Sequence, residues 1–376
     1  MKRTRIKLGV YFQRYILMNW QRMIKRKRYF LLLFVVVILP MFYFWPTKSG
    51  DASSVDVFQV RMIQSSEEME FPTSETDNRT IPHIIHQIFT YINVPASYSL
   101  NIRLFVSRNP DWEYKFWTFE SGERLIKKHH PDLLATYNGF GNSVKKADLL
   151  RYVAIYEYGG VYSDLDVLVL RPLDKVTLKY SCIIPAEPFE HSLLLYKIEF
   201  SIQNGIIICR PKHPFIKQLI ENARNVLPNA SAIHSVGPLY VTKQFKIYNN
   251  ITDADTERTK IHFTSNSPMF YKGQLPEDHP NAVYVPNSQY FMDNLDPGVT
   301  LRIKQTCKHF SKQPFIVKRV CLEFQSRQLV RKNRRYTFIF HTWDHSYGVK
   351  QKVKYSEMKQ VHIQELVPKV SLYTSR

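Results

Sequence analysis

The sequence predicts an α/β domain with a mainly parallel central sheet and flanking helices. From Ile81 onward, short apolar segments typical of strands alternate with amphipathic segments of helical periodicity. The chain has 376 residues, which is long enough to bury a large apolar core. Together these observations favour a sheet with helices packed on both faces.

The first globular segment, IPHIIHQIF, is predicted to be a buried strand. A short amphipathic helix is predicted for residues 97–108, and the alternating segment WEYKFWTF is predicted to be a second strand. GERLIKKHH begins another helix, which Pro131 ends because the residue before a proline disfavours helical geometry. This order and spacing are typical of parallel strands joined by helices.

The next helix and strand carry the most informative charged residues. The helix VKKADLLRYVAIYEYGG ends at Gly159-Gly160, since glycine adopts a left-handed cap without steric cost. The strand GGVYSDLDVLVL then carries Asp164 and Asp166. Alternate strand residues share a face, so we expect the two carboxylates to project together, roughly 7 Å apart. Such a pair needs a cation, hydrogen-bond donors or a strand end that reaches water.

Later segments complete the predicted domain. IIICR is predicted as a strand, and helices are predicted for residues 213–226 and, after a loop, within HSVGPLYVTKQF. Further strands are predicted for AVYVPNSQYF, within residues 281–293, and for YTFIFHTWDHSYG, Tyr336 to Gly348. The basic segment 301–335 fits a solvated face by default, with an anionic membrane contact or an acceptor site as alternatives.

The net charge of +20 is concentrated at the two ends of the chain. Residues 1–28 hold ten basic residues and no acidic one, and residues 302–376 hold 17 basic and four acidic residues. The remainder, with 25 basic and 28 acidic residues, is nearly neutral. This distribution argues against a nucleic-acid-binding protein.

A membrane anchor is predicted near the N-terminus. Residues 29–45 are an uncharged apolar run of 17, flanked by aromatic residues and preceded by the basic segment 1–28. A retained signal anchor is favoured over a cleaved signal peptide, because no small-x-small site follows. The positive-inside rule then predicts that residues 1–28 are a cytosolic tail and that everything after Trp45 is in the lumen or outside. From composition and pattern we expect this second part to comprise a stem of residues 46–80, a globular domain of residues 81–350 and a C-terminal extension of residues 351–376.

The four cysteines show neither the CxxC spacing nor the spacing of a zinc site. In an oxidising lumen, Cys307 and Cys321 are expected to close a short loop that stabilises the fold by about 3 kcal/mol. Cys182 and Cys209 lie in apolar runs, where buried free thiols are an equally good interpretation.

The combination of these motifs resembles the D-x-D glycosyltransferases of family 32. That group includes the yeast Golgi mannosyltransferases, the inositol phosphoceramide mannosyltransferases and the animal lactosylceramide galactosyltransferase. The matching segments are IPHIIHQIF, KADLLRYVAIYEYGGVYSDLDV, NGIIICRPKHPF and FHTWDHSYG, of which the second is the most specific. The resemblance runs from about Ile81 to Gly237 and resumes near Tyr336.

The resemblance implies a GT-A type catalytic domain, a nucleotide-sugar donor, Mn²⁺ or Mg²⁺ as cofactor and retention of the anomeric configuration. It implies a Golgi membrane protein of single-pass type II topology that transfers a hexose to a glycolipid or glycan. The expected donor is GDP-mannose, and the expected acceptor is of the inositol phosphoceramide type. The alternatives are a UDP-galactose or UDP-N-acetylglucosamine transferase of the same family and an inactive sugar-binding homologue.

The resemblance also assigns site residues. Asp164 and Asp166 are expected to hold the metal together with His341, and they form the expected catalytic set with Asn204. Asn204 can hydrogen-bond the donor as an amide but cannot act as a nucleophile or base. The expected donor-binding residues are Ile85, Phe89, Asp148, Arg151, Gly160 and Tyr162. Phe89 and Tyr347 stand where the family usually has tryptophan, and both remain aromatic.

Two other enzyme classes use paired carboxylates. In a haloacid-dehalogenase-type phosphatase the strand ends at the D-x-D motif, whereas here Val167 to Leu170 continue the apolar run. A glycosidase needs two carboxylates on either side of the bond that it cleaves, and the sequence does not exclude that geometry. The helix with Asp148 and Arg151 and the glycine pair favour a transferase over both.

Overall fold

A computed structural model describes the part of the chain that bears on these predictions. The described residues are 61–62, 70–74, 80–198, 200–226, 229–253, 269–270, 275–276, 279–286, 288–292, 294–330, 335–344 and 354–373. All of them belong to one compact unit, Val57–Arg376. Within these ranges, none of the helices has both the length and the apolar character needed to cross a bilayer. The predicted anchor, residues 29–45, and the predicted tail, residues 1–28, lie outside the described residues.

The described part of the chain contains strands, eight longer helices and several short helical turns. The strands are β1 (Arg61–Met62), β2 (Ile84–Ile88), β3 (Asn93–Pro95), β4 (Glu113–Trp117), β5 (Gly160–Ser163), β6 (Val167–Val169), β7 (Cys182–Ile183), β8 (Ile206–Cys209), β9 (Met269–Phe270), β10 (Ile339–His341), β11 (Gln360–His362) and β12 (Ser371–Leu372). The longer helices are α1 (Ser99–Arg108), α2 (Phe119–His129), α3 (Leu134–Gly139), α4 (Ser143–Tyr158), α5 (Pro214–Asn222), α6 (Pro238–Tyr248), α7 (Pro297–Cys307) and α8 (Phe315–Val330). Short helical turns lie at Ala96–Tyr98, Pro131–Leu133, Asp174–Thr177, Phe189–His191, Ser192–Tyr196, Ala223–Asn225, Ala232–Ser235, Ser288–Phe291, Phe310–Lys312, Tyr355–Glu357 and Ile363–Leu366.

Six strands form the central sheet, in the order β12-β4-β2-β5-β8-β7. The first four are parallel to one another, whereas β8 runs antiparallel to both β5 and β7. The small pairs β3–β11, β6–β10 and β1–β9 are antiparallel. The predicted α/β class and the mainly parallel sheet are therefore confirmed, and the antiparallel β8 makes the sheet mixed.

Apolar layers cover both faces of this sheet. Along β8, Ile207 packs with the layer that contains Leu149 of α4, whereas Ile206 and Ile208 pack with the opposite layer that contains Phe105 of α1. Successive strand residues point to opposite faces, so β8 is buried on both sides. This explains why IIIC reads as a continuous apolar run.

Local geometry fixes how α4 leads into β5. The side chain of Asn142 caps the start of α4 by accepting the N–H of Val144 at 2.8 Å. At the other end, Gly159 has a φ of 66° and Gly160 a φ of 100°, conformations that favour glycine. A Cβ atom at Gly160 would collide with the carbonyl oxygen of Ile84. The glycine pair therefore lets β5 lie directly against β2.

The sequence predicted that the two aspartates lie within one strand, and the structure shows that this is wrong. Asp164 follows the last residue of β5, and Asp166 precedes the first residue of β6, so both belong to the turn between these strands. Strand propensity was overridden because β5 pairs with β8 while β6 leaves the sheet to pair with β10. The alternation rule therefore does not set their separation.

Two predicted strands are shorter in the structure. In AVYVPNSQYF, Tyr284 makes a single bridge to Ile183, and Ser288–Phe291 is helical. Pro286 has no N–H to continue a ladder, which accounts for the break. The predicted strand Tyr336–Gly348 is reduced to β10, and its residues 345–348 lie outside the described ranges.

The C-terminal segment and the disulfides tie distant parts of the unit together. Residues 354–373 fall in the predicted C-terminal extension, yet β12 forms an edge of the central sheet next to β4. The expected disulfide Cys307–Cys321 is confirmed and joins α7 to α8. Cys182 and Cys209 also form a disulfide, between the neighbours β7 and β8, so the free-thiol interpretation is wrong for this pair.

Candidate active site

The turn between β5 and β6 is held on both sides by backbone contacts. The N–H of Asp164 donates to the carbonyl oxygen of Gly205 at 2.9 Å. The carbonyl oxygen of Asp166 accepts the N–H of Thr342 at 2.7 Å and its hydroxyl at 2.8 Å. The turn is thus clamped between the residues that precede β8 and those that follow β10, which brings three distant segments to one edge of the sheet.

Asp164, Asp166 and His341 converge at this edge. One potential ligand atom from each lies within 4.8 Å of the other two. Nε2 of His341 is 3.7 Å from Oδ1 of Asp166, and Oδ2 of Asp166 accepts the N–H of Asp344 at 3.0 Å. Two carboxylates with one imidazole are a donor set that fits Mn²⁺ or Mg²⁺ once further oxygen ligands are supplied.

The segment His341–Trp343 forms a tight turn. Trp343 has a φ of 58°, a left-handed conformation that is uncommon for a large residue. In this conformation its N–H donates to Nδ1 of His341 at 3.0 Å. A neutral imidazole that accepts at Nδ1 carries its proton on Nε2, so Nε2 faces Asp166 as a donor. Direct metal binding through Nε2 would require the other tautomer and the loss of this contact.

Arg151 joins the metal-site turn to α4. Its guanidinium lies 2.9 Å from Oδ1 of Asp148 and 3.3 Å from Oδ1 of Asp164. It also donates to the carbonyl oxygen of Asn204 at 2.7 Å and lies over the ring of Tyr162, 4.5 Å from its centroid. Asp148 and Arg151 are three residues apart on α4, so they share one face of the helix, and both are almost fully buried.

Burial sets the direction of the pKa shift for the two carboxyl groups of this cluster, but not for the guanidinium. Burial raises the pKa of Asp148 to about 7, because the opposing effect of Arg151 is too small to compensate. Burial likewise raises the pKa of Asp164, with Arg151 again opposing it and Asp166 adding to it. For Arg151 burial acts to lower the pKa, but the nearby carboxylates outweigh it and the pKa is raised. Two carboxylates thus share one guanidinium, and of the two Asp148 is almost fully buried whereas Asp164 is partly exposed to the cleft.

Asn204 and Gly205 complete the inner wall of the site. The amide nitrogen of Asn204 donates to Oδ1 of Asp148 at 2.9 Å and lies 3.1 Å from the hydroxyl of Tyr152. A Cβ atom at Gly205 would lie 2.7 Å from the Asp164 carboxylate, which explains the need for glycine there. The hydroxyl of Tyr162 donates to Oδ1 of Asp164 at 2.5 Å.

These residues line a cleft of about 540 Å³. Seven of the predicted site residues are in its wall, namely Asp148, Arg151, Tyr162, Asp164, Asp166, Asn204 and His341. Ile85, Phe89 and Gly160 are not among the lining residues. Ile85 and Phe89 belong to the apolar core, where Phe89 packs 5.8 Å from the ring of Tyr355, and Gly160 abuts Ile84.

The cleft also has lining residues that the sequence did not identify. Glu187, Tyr196 and Gln203 face it from the segment between β7 and β8, and Ile233 lines it from a short helical turn. None of them belongs to a recognisable motif or period. Trp343 lies in FHTWDHSYG, one of the segments that carry the family resemblance, but the sequence predicts no role for it.

Part of the chain is similar in sequence to known glycosyltransferases. Residues 95–183 match the family described as glycosyltransferase sugar-binding region containing DXD motif. The chain is 29% identical over 177 residues to inositol phosphoceramide mannosyltransferase 1 of Schizosaccharomyces pombe, covering 45% of this chain and 52% of that protein. It is 30% identical over 84 residues to the initiation-specific alpha-1,6-mannosyltransferase of Candida albicans, covering 22% of each chain.

The extent of these matches is limited. The chain spans about half the length of the inositol phosphoceramide relatives. Among solved structures, the PaToxG glycosyltransferase aligns with a TM-score of 0.38 and 13% identity, covering 66% of this chain and 87% of that one. The expected resemblance to the DXD glycosyltransferases is confirmed by these sequence matches. The match to the family, residues 95–183, includes the segment that carries the aspartate pair.

Proposed function

We propose that this chain, which carries the sugar-binding region of the DXD glycosyltransferases, is a metal-dependent retaining hexosyltransferase of the GT-A type. The observation that supports this proposal most is the convergence of Asp164, Asp166 and His341 beside the buried Asp148–Arg151 pair. A cleft with apolar walls and a few convergent polar groups at a sheet edge suits a nucleotide sugar.

In this proposal Asp164 and Asp166 would hold Mn²⁺ or Mg²⁺. When bound, such an ion would supply Lewis-acid stabilisation of the negative charge on the departing nucleoside diphosphate. Nε2–H of His341 donates to the diphosphate or to Asp166, and ligation by His341 would need the tautomer change described above. The hydroxyl of Tyr162 orients Asp164 through its hydrogen bond.

The Asp148–Arg151 pair positions the donor sugar in this proposal. Arg151 holds Asp148 and Asp164 in fixed places and supplies positive charge near the diphosphate. Asn204 fixes one oxygen of Asp148 and borders the expected position of the sugar. We assign no general base, since in a retaining reaction a donor phosphate oxygen can accept the proton on the face from which the leaving group departs.

The proposed donor is GDP-mannose, and the proposed acceptor is a glycolipid of the inositol phosphoceramide type or a glycan. Two relatives support this choice: one is named an inositol phosphoceramide mannosyltransferase and the other an alpha-1,6-mannosyltransferase. A UDP-galactose or UDP-N-acetylglucosamine transferase is the alternative. An inactive sugar-binding homologue is disfavoured because the charged side chains of the cleft are all in place: Asp148, Arg151, Asp164, Asp166 and His341.

We further propose that the protein resides in the Golgi membrane, with residues 29–45 as a type II anchor and the domain in the lumen. Two disulfides in the described part of the chain are consistent with an oxidising compartment. A test of topology is protease protection in sealed microsomes: the domain that follows residue 80 should be protected, and its digestion without detergent would contradict the assignment.

The activity is tested with the full-length chain in detergent micelles. It is supplied with Mn²⁺, inositol phosphoceramide and, in separate reactions, GDP-mannose, UDP-galactose or UDP-N-acetylglucosamine. Transfer from GDP-mannose that a chelator abolishes and Mn²⁺ restores is the expected result. Binding of nucleotide sugars without any turnover would favour the inactive homologue, and turnover that resists chelation would contradict the metal assignment.

A further inference from the structure

Glu187 is a buried carboxylate in the wall of the cleft that the roles above do not use. Glu187 is only 6% exposed, and it lines the cleft together with Tyr196 and Gln203. Its N–H donates to the carbonyl oxygen of Ser201 at 2.8 Å, and the adjacent Ala186 forms a bridge with Ile202. The backbone that carries Glu187 is therefore fixed against the segment leading to Asn204.

The carboxylate of Glu187 is oriented but not saturated by its neighbours. Nδ1 of His191 lies 3.5 Å from Oε2, and the hydroxyl of Tyr196 lies 3.4 Å from Oε1. The Tyr196 contact is a long hydrogen bond, whereas the His191 contact does not meet hydrogen-bond geometry, so Oε2 has no hydrogen-bond partner among the described residues. A buried carboxylate oxygen in this condition needs an explanation, and a bound ligand provides one.

His191 is held so that it presents a proton to Glu187. Its Nε2 accepts the N–H of Asp296 at 3.1 Å, so a neutral imidazole carries its proton on Nδ1, the atom that faces Oε2 of Glu187. His191 is only 1% exposed, and its ring lies 4.8 Å from the ring of Trp343. Its own Nδ1 also has no hydrogen-bond partner within the described ranges.

The order of groups along the sheet edge indicates what Glu187 faces. From β2 outward, the edge carries Ile88 at the end of β2, Asp164 at the end of β5, Asn204 ahead of β8 and then Glu187 beyond β7. Neighbouring strands are about 4.8 Å apart, so Glu187 lies roughly three strand positions from β2. A donor with its nucleoside near β2 and its diphosphate at Asp164 would place its sugar near Asn204, and the next position belongs to the acceptor.

We propose that Glu187 binds a hydroxyl of the acceptor and aligns it with the donor sugar, with His191 as a positioning residue. The inference rests on the proposed transferase function. A carboxylate only accepts hydrogen bonds, so it selects the hydroxyl-bearing face of a sugar or polyol ring and repels an anionic group such as a phosphate. The acceptor class is therefore a neutral polyhydroxylated ring, with any phosphate of the acceptor held away from Glu187.

The test separates acceptor binding from donor chemistry in the full-length chain. Glu187→Gln keeps the shape of the side chain but removes the charge. We expect the KM for inositol phosphoceramide to rise at least tenfold, while hydrolysis of GDP-mannose by water and the donor KM stay within twofold of wild type. Glu157→Gln is the control, because Glu157 is also largely buried but is fully paired and is not among the lining residues of the cleft.

Variants of His191 distinguish positioning from a structural role. His191→Asn retains an N–H near the place of Nδ1 and should keep an acceptor KM close to wild type, whereas His191→Phe should raise it. Equal acceptor KM values for Glu187→Gln and wild type would overturn the inference, as would an equal loss of donor hydrolysis, which would place Glu187 at the donor. A wild-type chain that neither hydrolyses nor transfers any nucleotide sugar would instead overturn the proposed function.

Discussion

Helix α4 carries two carboxylates in contrasting surroundings: one has several basic neighbours, and the other shares a single guanidinium with a second carboxylate. Near its C-terminal end, Glu157 is contacted by His130 at 2.8 Å, His129 at 3.4 Å and Lys212 at 2.5 Å. Burial acts to raise the pKa of Glu157, but the hydrogen bonds from Lys212 and His130 outweigh it and the pKa is lowered. The basic side chains that compensate Glu157 are therefore all supplied by the protein itself.

Asp148, nearer the start of the same helix, lies in the opposite situation. It shares Arg151 with Asp164, and burial raises the pKa of both carboxyl groups. The balance of positive and negative charge around each carboxylate therefore distinguishes a structural cluster from a binding site on the same helix. A cluster that is already balanced stabilises the fold, whereas a buried cluster with too little positive charge is completed by a cation from outside.

The largest expected effect comes from Asp166→Ala. Removing one of the two proposed carboxylate ligands should reduce metal-dependent transfer by about 10³-fold or more, because the metal supplies several kcal/mol of transition-state stabilisation. The measurement is the transfer rate at saturating Mn²⁺, with circular dichroism to verify the fold. Asp132→Ala, on the exposed surface, is the matched control. Full activity of Asp166→Ala would refute the assignment.

Arg151→Ala should destabilise the protein by about 3–5 kcal/mol, because it leaves Asp148 without its cation in a buried site. The free energy of unfolding, measured by urea denaturation, checks this. The double variant Asp148→Asn with Arg151→Met should recover part of the stability without recovering transfer. A loss below 1 kcal/mol for Arg151→Ala would mean that water reaches the cluster and that its charges are not desolvated.

Asp148→Asn should change how stability depends on pH. The folded pKa of about 7 lies above the unfolded value of 3.8, so protonated Asp148 favours the folded state below about pH 4, and this contribution is lost as the pH rises through 7. Between about pH 4 and pH 7, the free energy of unfolding of the wild type should fall, relative to that of the variant, by up to about 1.4 kcal/mol per pH unit. Urea denaturation in a chelator from pH 4 to pH 8 measures it, and parallel curves would contradict the shift.

The smallest effect is expected for Glu157→Gln. It should lower the free energy of unfolding by about 1 kcal/mol, because an ion pair whose lysine, Lys212, is half exposed to water contributes little. Transfer should be unchanged, because the cluster lies outside the cleft. A thermal melt and a transfer assay of the same preparation provide both readings. Loss of transfer in this variant would remove the distinction between the two clusters.

Much of the fold and of the inner site could be predicted because the signals are local. The strand-helix alternation, the glycine pair that ends α4 and the aspartates that follow it are all encoded within a short stretch. Asp148 and Arg151 could be placed on one helix face from their spacing alone. His341 was predicted only through the family resemblance, since 175 residues separate it from Asp166.

The remaining features depend on contacts that leave no periodic pattern. The turn at Asp164 and Asp166 exists because β6 pairs with β10, far along the chain. The edge strand β12 is only two residues long, too short to show an alternation. Glu187 is brought to the cleft by pairing with residues that precede Asn204, so neither its burial nor its partner His191 could be inferred from sequence.

The central claim is that the Asp164 and Asp166 cluster is completed by a divalent cation. Isothermal titration of the full-length chain with Mn²⁺ in the presence of GDP tests it most directly. The expected result is one Mn²⁺ per chain, with an affinity that falls at least about 100-fold in Asp166→Asn and is unchanged in Glu157→Gln. Equal Mn²⁺ affinity in wild type and Asp166→Asn would contradict the account.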